Sequence, residues 1–406
     1  MHRNKADEEQ ADMYRGSLNK DLSFRLVKVV STLVIFVAGV VFGLVASAHV
    51  TGRIRSQSEL FFPPNHPPQP SIVFRNENCS IIDKCEKENF LNFTRFLHPE
   101  NLTHFMKDDE LFWRASMVPK KENYPYTRVP KVAFMFLTRG PLPLAPLWDK
   151  FFEGHEEFFS VYVHALPGYK LDVSNASAFY NRQIPSQNVR WGTIELADSE
   201  KRLLANALLD FSNERFVLLS ESCIPVYDFD TVYKYLIGSA QSFVEAYDDP
   251  SRYGRGRYSR RMYPDIKLYQ WRKGSQWFEL NRVLAVNIIS DTKYYLLFKK
   301  YCKPSCYPDE HYLPTLLNMF YGSLNSRRSL TWVDWSKGGP HPVTYDGVNI
   351  TEGFIESIRN NGTMCLYKSQ KTYNTQMTSV CYLFARKFAP DTLEPLLNMT
   401  STVMNF

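Results

Sequence analysis

Charge is missing from one long stretch of this chain. From Val29 to Val50 ("VVSTLVIFVAGVVFGLVASAHV") there is no Asp, Glu, Lys or Arg in 22 residues. A helix crossing a bilayer needs about 20 apolar residues, so residues 26–50 read as a transmembrane segment. The "ASA" at Ala46–Ala48 raises a rival, a cleaved signal peptide. Such peptides carry apolar runs of about 7–15 residues behind a short leader, whereas 28 residues precede this run. An uncleaved signal anchor is the expectation. Glycosylation sequons are absent before the run and frequent after it, at Asn78, Asn92, Asn101, Asn175, Asn349, Asn361 and Asn398. All seven cysteines also follow it. The flanking basic residues fall on both sides and do not orient the segment. A luminal, oxidising C-terminal side accounts for both asymmetries. The odd cysteine count leaves at least one thiol without an internal partner.

Other absences narrow the chemistry. No internal repeat is present, and no glycine-rich dinucleotide or phosphate loop follows the first strand-like run, which argues against NAD and ATP enzymes. "SES" (Ser220–Ser222) lacks the flanking glycines of a nucleophile elbow, which argues against a serine hydrolase. Cys302, Cys306 and His311 have no second Cys/His pair to complete a structural zinc site, so the cysteines read as disulfide formers.

What is there suits a large packed enzyme domain. The chain has 406 residues, 44% hydrophobic and 15% aromatic, with net charge +6 and pI near 8.7. The expected organisation is a cytosolic tail at 1–25, the anchor at 26–50, a luminal stem at 51–127 (Pro-rich at 61–70), and one domain at 128–406. "KVAFMFL", "FFSVYVH" and "RFVLLSES" read as buried strands alternating with helices in "APLWDKFFEG", "DSEKRLLANALLDF" and "DFDTVYKYL". That alternation predicts an α/β fold with a mostly parallel sheet covered on both faces. Ligands then bind beyond the carboxyl ends of the strands. In the second helix Asp198 or Ser199 is the expected N-cap, with Lys201 and Arg202 on an open face.

"DFD" (Asp228–Asp230) admits two readings, a metal-gripping Asp-x-Asp pair or a helix cap. The cap is preferred, because "SES" occupies the strand end where a metal pair would be needed. Arg252–Lys273 carries eight basic residues against one acid, interleaved with aromatics. In a lumen it meets no nucleic acid; it is either an acceptor- or diphosphate-facing loop or a solvated surface. "PDEHYLPTLLNMF" opens with Pro308 and two acids, the pattern of a helix start.

From Lys131 to Leu397 the chain resembles the core-2/I-branching β-1,6-N-acetylglucosaminyltransferase family, particularly its plant branch. The resemblance is carried by "RFVLLSESCIPVYDF", "YQWRKGSQWFELNRVLA", "CYPDEHYLPTLL", "SLTWVDWSKGGPHP" and "CYLFARKF", in that order. It implies a single GT-A-type, nucleotide-sugar-binding domain on a Golgi signal anchor of type II topology. It also implies inverting transfer from a UDP-sugar to a glycan acceptor, with no divalent metal or other cofactor. Glu310 takes the place of the catalytic base, with Asp309 as its helix-capping neighbour, and Lys387 that of the donor-diphosphate lysine. The family's companion arginine falls on Gly362; Arg359 and Arg386 are the candidates for its role. Trp332 and Trp335 match the acceptor platform and Glu245 an acceptor-contacting acid. The family's uridine-side aspartate is replaced by His164. A catalytically silent, lectin-like protein and a metal-dependent transferase using Asp228 and Asp230 are the alternatives.

Overall fold

The computed structural model describes residues 31–40, 102–119, 124, 126–303, 306–360 and 362–406. The chain divides into two units, Met1–Glu86 and Lys87–Phe406. In the first, residues 31–40 are helical with exposed apolar side chains; the rest of the expected anchor, the Pro-rich 61–70 stretch and Cys79 and Cys85 lie outside the described residues. Among the described residues no helix is long and apolar enough to cross a membrane.

In the second unit a four-stranded sheet has the order β2-β1-β3-β5. Strands β1 (Lys131–Leu137), β2 (Phe159–His164) and β3 (Asn213–Ser220) are parallel, while β5 (Glu279–Asn281) runs antiparallel to β3. The alternation along β1 divides its side chains between two cores. Ala133 and Met135 join one cluster with Leu203, Leu204 and Leu284; Val132, Phe134 and Phe136 join the other with Trp148, Phe151 and Phe229. Burial on both faces is why these strands read as unbroken apolar runs. The second core is aromatic, with Phe134 edge-on to Phe152 at 5.0 Å and Phe136 edge-on to Trp148 at 5.2 Å.

A second sheet, β4-β9-β6, joins β4 (Ile224–Pro225), β9 (Phe384–Arg386) and β6 (Thr331–Val333). Ile224 pairs with Ala385, and the Phe388 amide donates to the Ser222 carbonyl at 3.0 Å. The chain leaving β3 is thereby tied to the strand that carries Arg386 and Lys387.

Two expectations change. Residues 102–118, assigned above to the stem, belong to the packed unit: helix α1 (Asp108–Ser116) buries Leu111 and Ala115 in the first core, beside Leu102 and Val118. The helix expected to begin at Asp198 begins at Ile194 (α3, Ile194–Leu208), and Lys201 and Arg202 are buried. Arg202 forms a two-pronged ion pair with Asp108 (2.7 and 2.8 Å), and Lys201 Nζ donates to the Ile288 carbonyl at 3.1 Å above the Tyr295 ring. Partners distant in sequence cover the face that polarity marks as open. Among the described residues, disulfides join Cys302 to Cys306 and Cys365 to Cys381, and Cys223 is a buried free thiol.

Candidate active site

The segment before β5 positions the site. Because Glu279 lies opposite Val217 in an antiparallel pair and the Leu218 amide donates to the Phe278 carbonyl at 3.0 Å, the segment read back from Phe278 to Lys273 runs toward the carboxyl end of β3. Phe243 bridges Glu279 and Tyr247 bridges Lys273, so Glu245 extends beyond the same edge. Gly274 makes this close approach feasible. A Cβ there would sit 1.9 Å from the Glu245 carbonyl oxygen and 2.9 Å from Pro314 Cγ. Its amide donates to the Glu310 carbonyl at 2.9 Å, seating helix α7 (Pro308–Phe320) against the segment.

Glu310 lies in the first turn of α7. Its Oε2 accepts from Arg257 Nη1 at 2.7 Å and pairs with Lys273 Nζ at 3.0 Å, all three side chains being three-quarters buried or more. Beside them, burial holds the Glu245 carboxyl above its ordinary range and the Glu310 charge adds to that, against Lys273 and the Ser275 amide. Burial works against the Lys273 ammonium, yet Glu310 and Tyr247 hold it above its usual value. The structure thus brings together Glu310 and Glu245, and adds two cations, Arg257 and Lys273, from the basic Arg252–Lys273 stretch.

Tyr307 precedes the helix with φ +54°, in the left-handed region uncommon for a side-chain-bearing residue. Its ring lies 4.0 Å from the Arg257 guanidinium and 5.1 Å from Trp191. Trp191 is half exposed and meets His341 at 5.5 Å, which draws the Trp335–His341 loop to this mouth. Trp335 itself is 53% exposed.

Asp309 is not the helix cap expected of it. It is buried, its Oδ1 has no partner, and the residue at the cap is Tyr307. Burial, then the charge of Glu310, pushes its carboxyl up to about 7. The buried Glu200, which accepts from Gln276 at 2.9 Å, is also raised, by burial and then by Asp309. Two carboxyls in one apolar setting each make ionisation of the other harder.

A second cluster gathers where β1, β3 and β9 end. Arg139 follows β1, Glu221 follows β3, Arg386 ends β9 and Lys387 follows it. Burial lowers the Lys387 ammonium, with Arg386 and then Arg139 adding to that against Glu221. The Arg386 guanidinium lies 4.2 Å from the Trp277 ring, and its buried Nε has no partner. Three cations against one carboxylate, beyond the strand ends, form a place for an anion.

The remaining candidates sit elsewhere. Arg359 donates to the Val403 carbonyl and stacks 4.3 Å from Tyr227. Trp332 stands opposite Ala385, one residue before Arg386, but its ring packs toward Tyr345 and Phe354 in the second core. His164 is buried at the end of β2, 3.4 Å from Arg202 and from the Gln187 amide. Asp228 caps α4 (Phe229–Ile237): one oxygen accepts from the Thr231 amide at 2.8 Å and the other from its hydroxyl at 2.7 Å. Asp230 pairs with Lys234 at 2.7 Å. Among the described residues no three His, Cys, Asp or Glu side chains gather in a way that could hold a metal. Asn175, Asn349 and Asn398 are exposed; Asn78, Asn92, Asn101 and Asn361 lie outside the described residues.

A family model described as the Core-2/I-Branching enzyme matches residues 132–359, from β1 to the end of helix α8 (Glu352–Arg359). The chain belongs to that family. It is also 35% identical over 316 residues to the glycosyltransferase BC10 of Oryza sativa subsp. japonica, an alignment covering 68% of this chain and 78% of the relative. The mixed α/β architecture with its mostly parallel sheet fits a glycosyltransferase domain. The family match spans Glu310 and its partners; Arg386 and Lys387 lie beyond its end.

Proposed function

We propose that this chain is an inverting, metal-independent glycosyltransferase. It moves a sugar, GlcNAc or a relative of it, from a UDP-sugar to a glycan hydroxyl on a GT-A-type domain. The carrying observation is Glu310, held by Arg257 and Lys273 at the carboxyl edge of the sheet. Both cations engage Oε2, which leaves Oε1 for an acceptor hydroxyl. In the reaction Oε1 takes the hydroxyl proton as the acceptor oxygen bonds to C1 of the donor sugar. The C1–O bond to the diphosphate breaks, and UDP leaves with the electron pair. Lys387, Arg386 and Arg139 meet the charge that develops on the β-phosphate, fixed cations doing what a metal does in other enzymes. Glu245, whose carboxyl burial holds above its ordinary range, hydrogen-bonds the acceptor. Trp335 offers an exposed ring against which a pyranose can lie.

The experiment is UDP release by the purified chain across a panel of UDP-sugars, with and without acceptor glycans, in EDTA and then in Mn²⁺. Turnover that persists in EDTA, and in the Asp228→Asn/Asp230→Asn double variant, is the expected result. Activity abolished by EDTA and restored by Mn²⁺ refutes the metal-free step, and UDP binding without turnover on any donor supports a catalytically silent protein. The reading places the domain in the Golgi lumen behind a type II anchor at 26–50. Endoglycosidase sensitivity and protease protection of the C-terminus in sealed microsomes test that placement.

A further inference from the structure

The basic, aromatic stretch Arg252–Lys273 does more than supply Arg257 and Lys273 to the base. Its backbone is held in place from within. Met262, Ile266 and Trp271 are buried, Trp271 Nε1 donates to the Gly254 carbonyl at 3.1 Å, and Tyr258 Oη donates to the Ile266 carbonyl at 2.6 Å. Trp271 is stacked between Phe298 (5.3 Å) and His311 (4.8 Å), the residue after the base. A solvated charge run needs no such anchoring. This one is fastened to the helix that carries Glu310.

Its outer side presents Arg252, Arg260, Arg261 and Lys267, all exposed, with Tyr253, Tyr263 and Tyr269 exposed among them. Among the described residues none of these four cations forms an ion pair, whereas Arg255 is matched by Asp248 and the segment's one acid, Asp265, is taken by Lys293. Arg260 follows Arg257 by three residues, so their Cα atoms are at most about 11 Å apart. The unpaired charge therefore begins within about 11 Å of the Arg257 backbone. The donor's diphosphate already has its own cluster at Arg139, Arg386 and Lys387, so the stretch is not needed for that anion.

We propose that this stretch is an acceptor subsite for an acidic polysaccharide, a glycan chain bearing carboxylate or sulfate groups. The guanidinium and ammonium groups would pair with the acidic substituents, and the tyrosines would lie against the apolar faces of successive sugar rings. The chain would run along the stretch and end with its acceptor hydroxyl at Glu310. This rests on the transferase reading for the acceptor's direction, but the binding it claims is independent of turnover.

The test uses the full chain in detergent and two probes with one backbone, polygalacturonate and its fully methyl-esterified, uncharged form. Affinity for the acidic polymer should exceed that for the ester at least about tenfold and fall with added salt. Each exposed pair is worth roughly a two- to fivefold factor in affinity. The triple variant Arg260→Ser/Arg261→Ser/Lys267→Ser should therefore lose about tenfold or more in binding while UDP affinity stays unchanged. Equal binding of ester and acid, or full binding by the triple variant, overturns the proposal. So does tighter binding to phosphatidylserine vesicles or to single-stranded RNA than to polygalacturonate. Charge-dependent glycan binding by a chain that binds no UDP leaves this subsite standing and removes the transferase reading instead.

Discussion

Replacing Glu310 by Gln separates its two proposed roles, because the amide keeps the shape and one acceptor oxygen but takes no proton. If Glu310 is the base, transfer falls at least about 10²-fold, the usual range for a lost general base. The same change removes the counter-charge of Arg257 and Lys273, which are 15% and 18% exposed beside a carboxylate that is 25% exposed. An exposed pair is worth about 0.2–1 kcal/mol and breaking a buried one costs about 3–5 kcal/mol; these lie between. A loss of about 1–3 kcal/mol follows, and at about 2–4 °C per kcal/mol the melting temperature drops several degrees. The body remains folded at an ordinary assay temperature, and UDP affinity, assigned above to the other cluster, should be unchanged. The assay pairs radiolabelled sugar transfer with calorimetric UDP binding and a thermal melt on the same preparation. Near-normal transfer by the variant would falsify the assignment of the base, whatever happens to the melt.

Lys387→Ala should weaken UDP binding about ten- to a hundredfold, since a charge-assisted contact is worth about 1.5–3 kcal/mol; unchanged calorimetric affinity removes Lys387 from the diphosphate site. Gly274→Ala forces a Cβ to within 1.9 Å of the Glu245 carbonyl, so the backbone must shift. Transfer should be lost with UDP binding largely kept, and a fully active variant would show the approach is not required. Asp309 titrates near 3.8 when unfolded and at about 7 when folded. Its contribution to stability is therefore full below pH 4, fades as the pH rises to about 7, and is flat above. Asp309→Asn escapes that loss, so its stability relative to the parent should grow by about 2–3 kcal/mol between pH 5 and pH 7.5 in urea melts. A gap that does not change with pH contradicts the buried carboxyl.

The strands were legible because a sheet covered on both faces needs continuous apolar runs, and β1 keeps that pattern from Val132 to Phe136. Helix α3 was misjudged for the converse reason. Asp198, Glu200, Lys201 and Arg202 are polar yet buried, and what covers them comes from Asp108, Tyr295, Ile288 and Gln276, far along the chain. Periodicity reads polarity as solvent, and a tertiary partner breaks that equation. The same limit governs the site. Glu310 and Lys387 sit in short recognisable stretches, but Arg257 acts on Glu310 across 53 residues. Arg139 had only its place after the first strand to mark it. Asp309 and Glu310 are adjacent in sequence, and one is buried while the other reaches an ion-paired mouth. Helix geometry alone turns neighbours about 100° apart.

The two charge clusters are joined by one short piece of chain. Lys273 reaches Glu310, Gly274 ties the backbone to α7, Trp277 carries the Arg386 guanidinium, and Glu279 enters the sheet. Glu279 is locked there by Arg215 in a fully buried pair, 2.6 and 2.8 Å. Breaking one partner of such a pair costs far more than an exposed contact, so the anchored end of the segment is rigid. An in-line displacement needs base and leaving group held on opposite sides of one carbon with little freedom between them. In the transfer proposed above, a single strand-like segment, fixed to the sheet at one end and to the helix of Glu310 at the other, would set that spacing through covalent geometry. Loops that move independently could not hold it. On that reading the residues from Lys273 to Glu279 position the reaction even where, like Gly274 and Trp277, they exchange no proton and carry no charge.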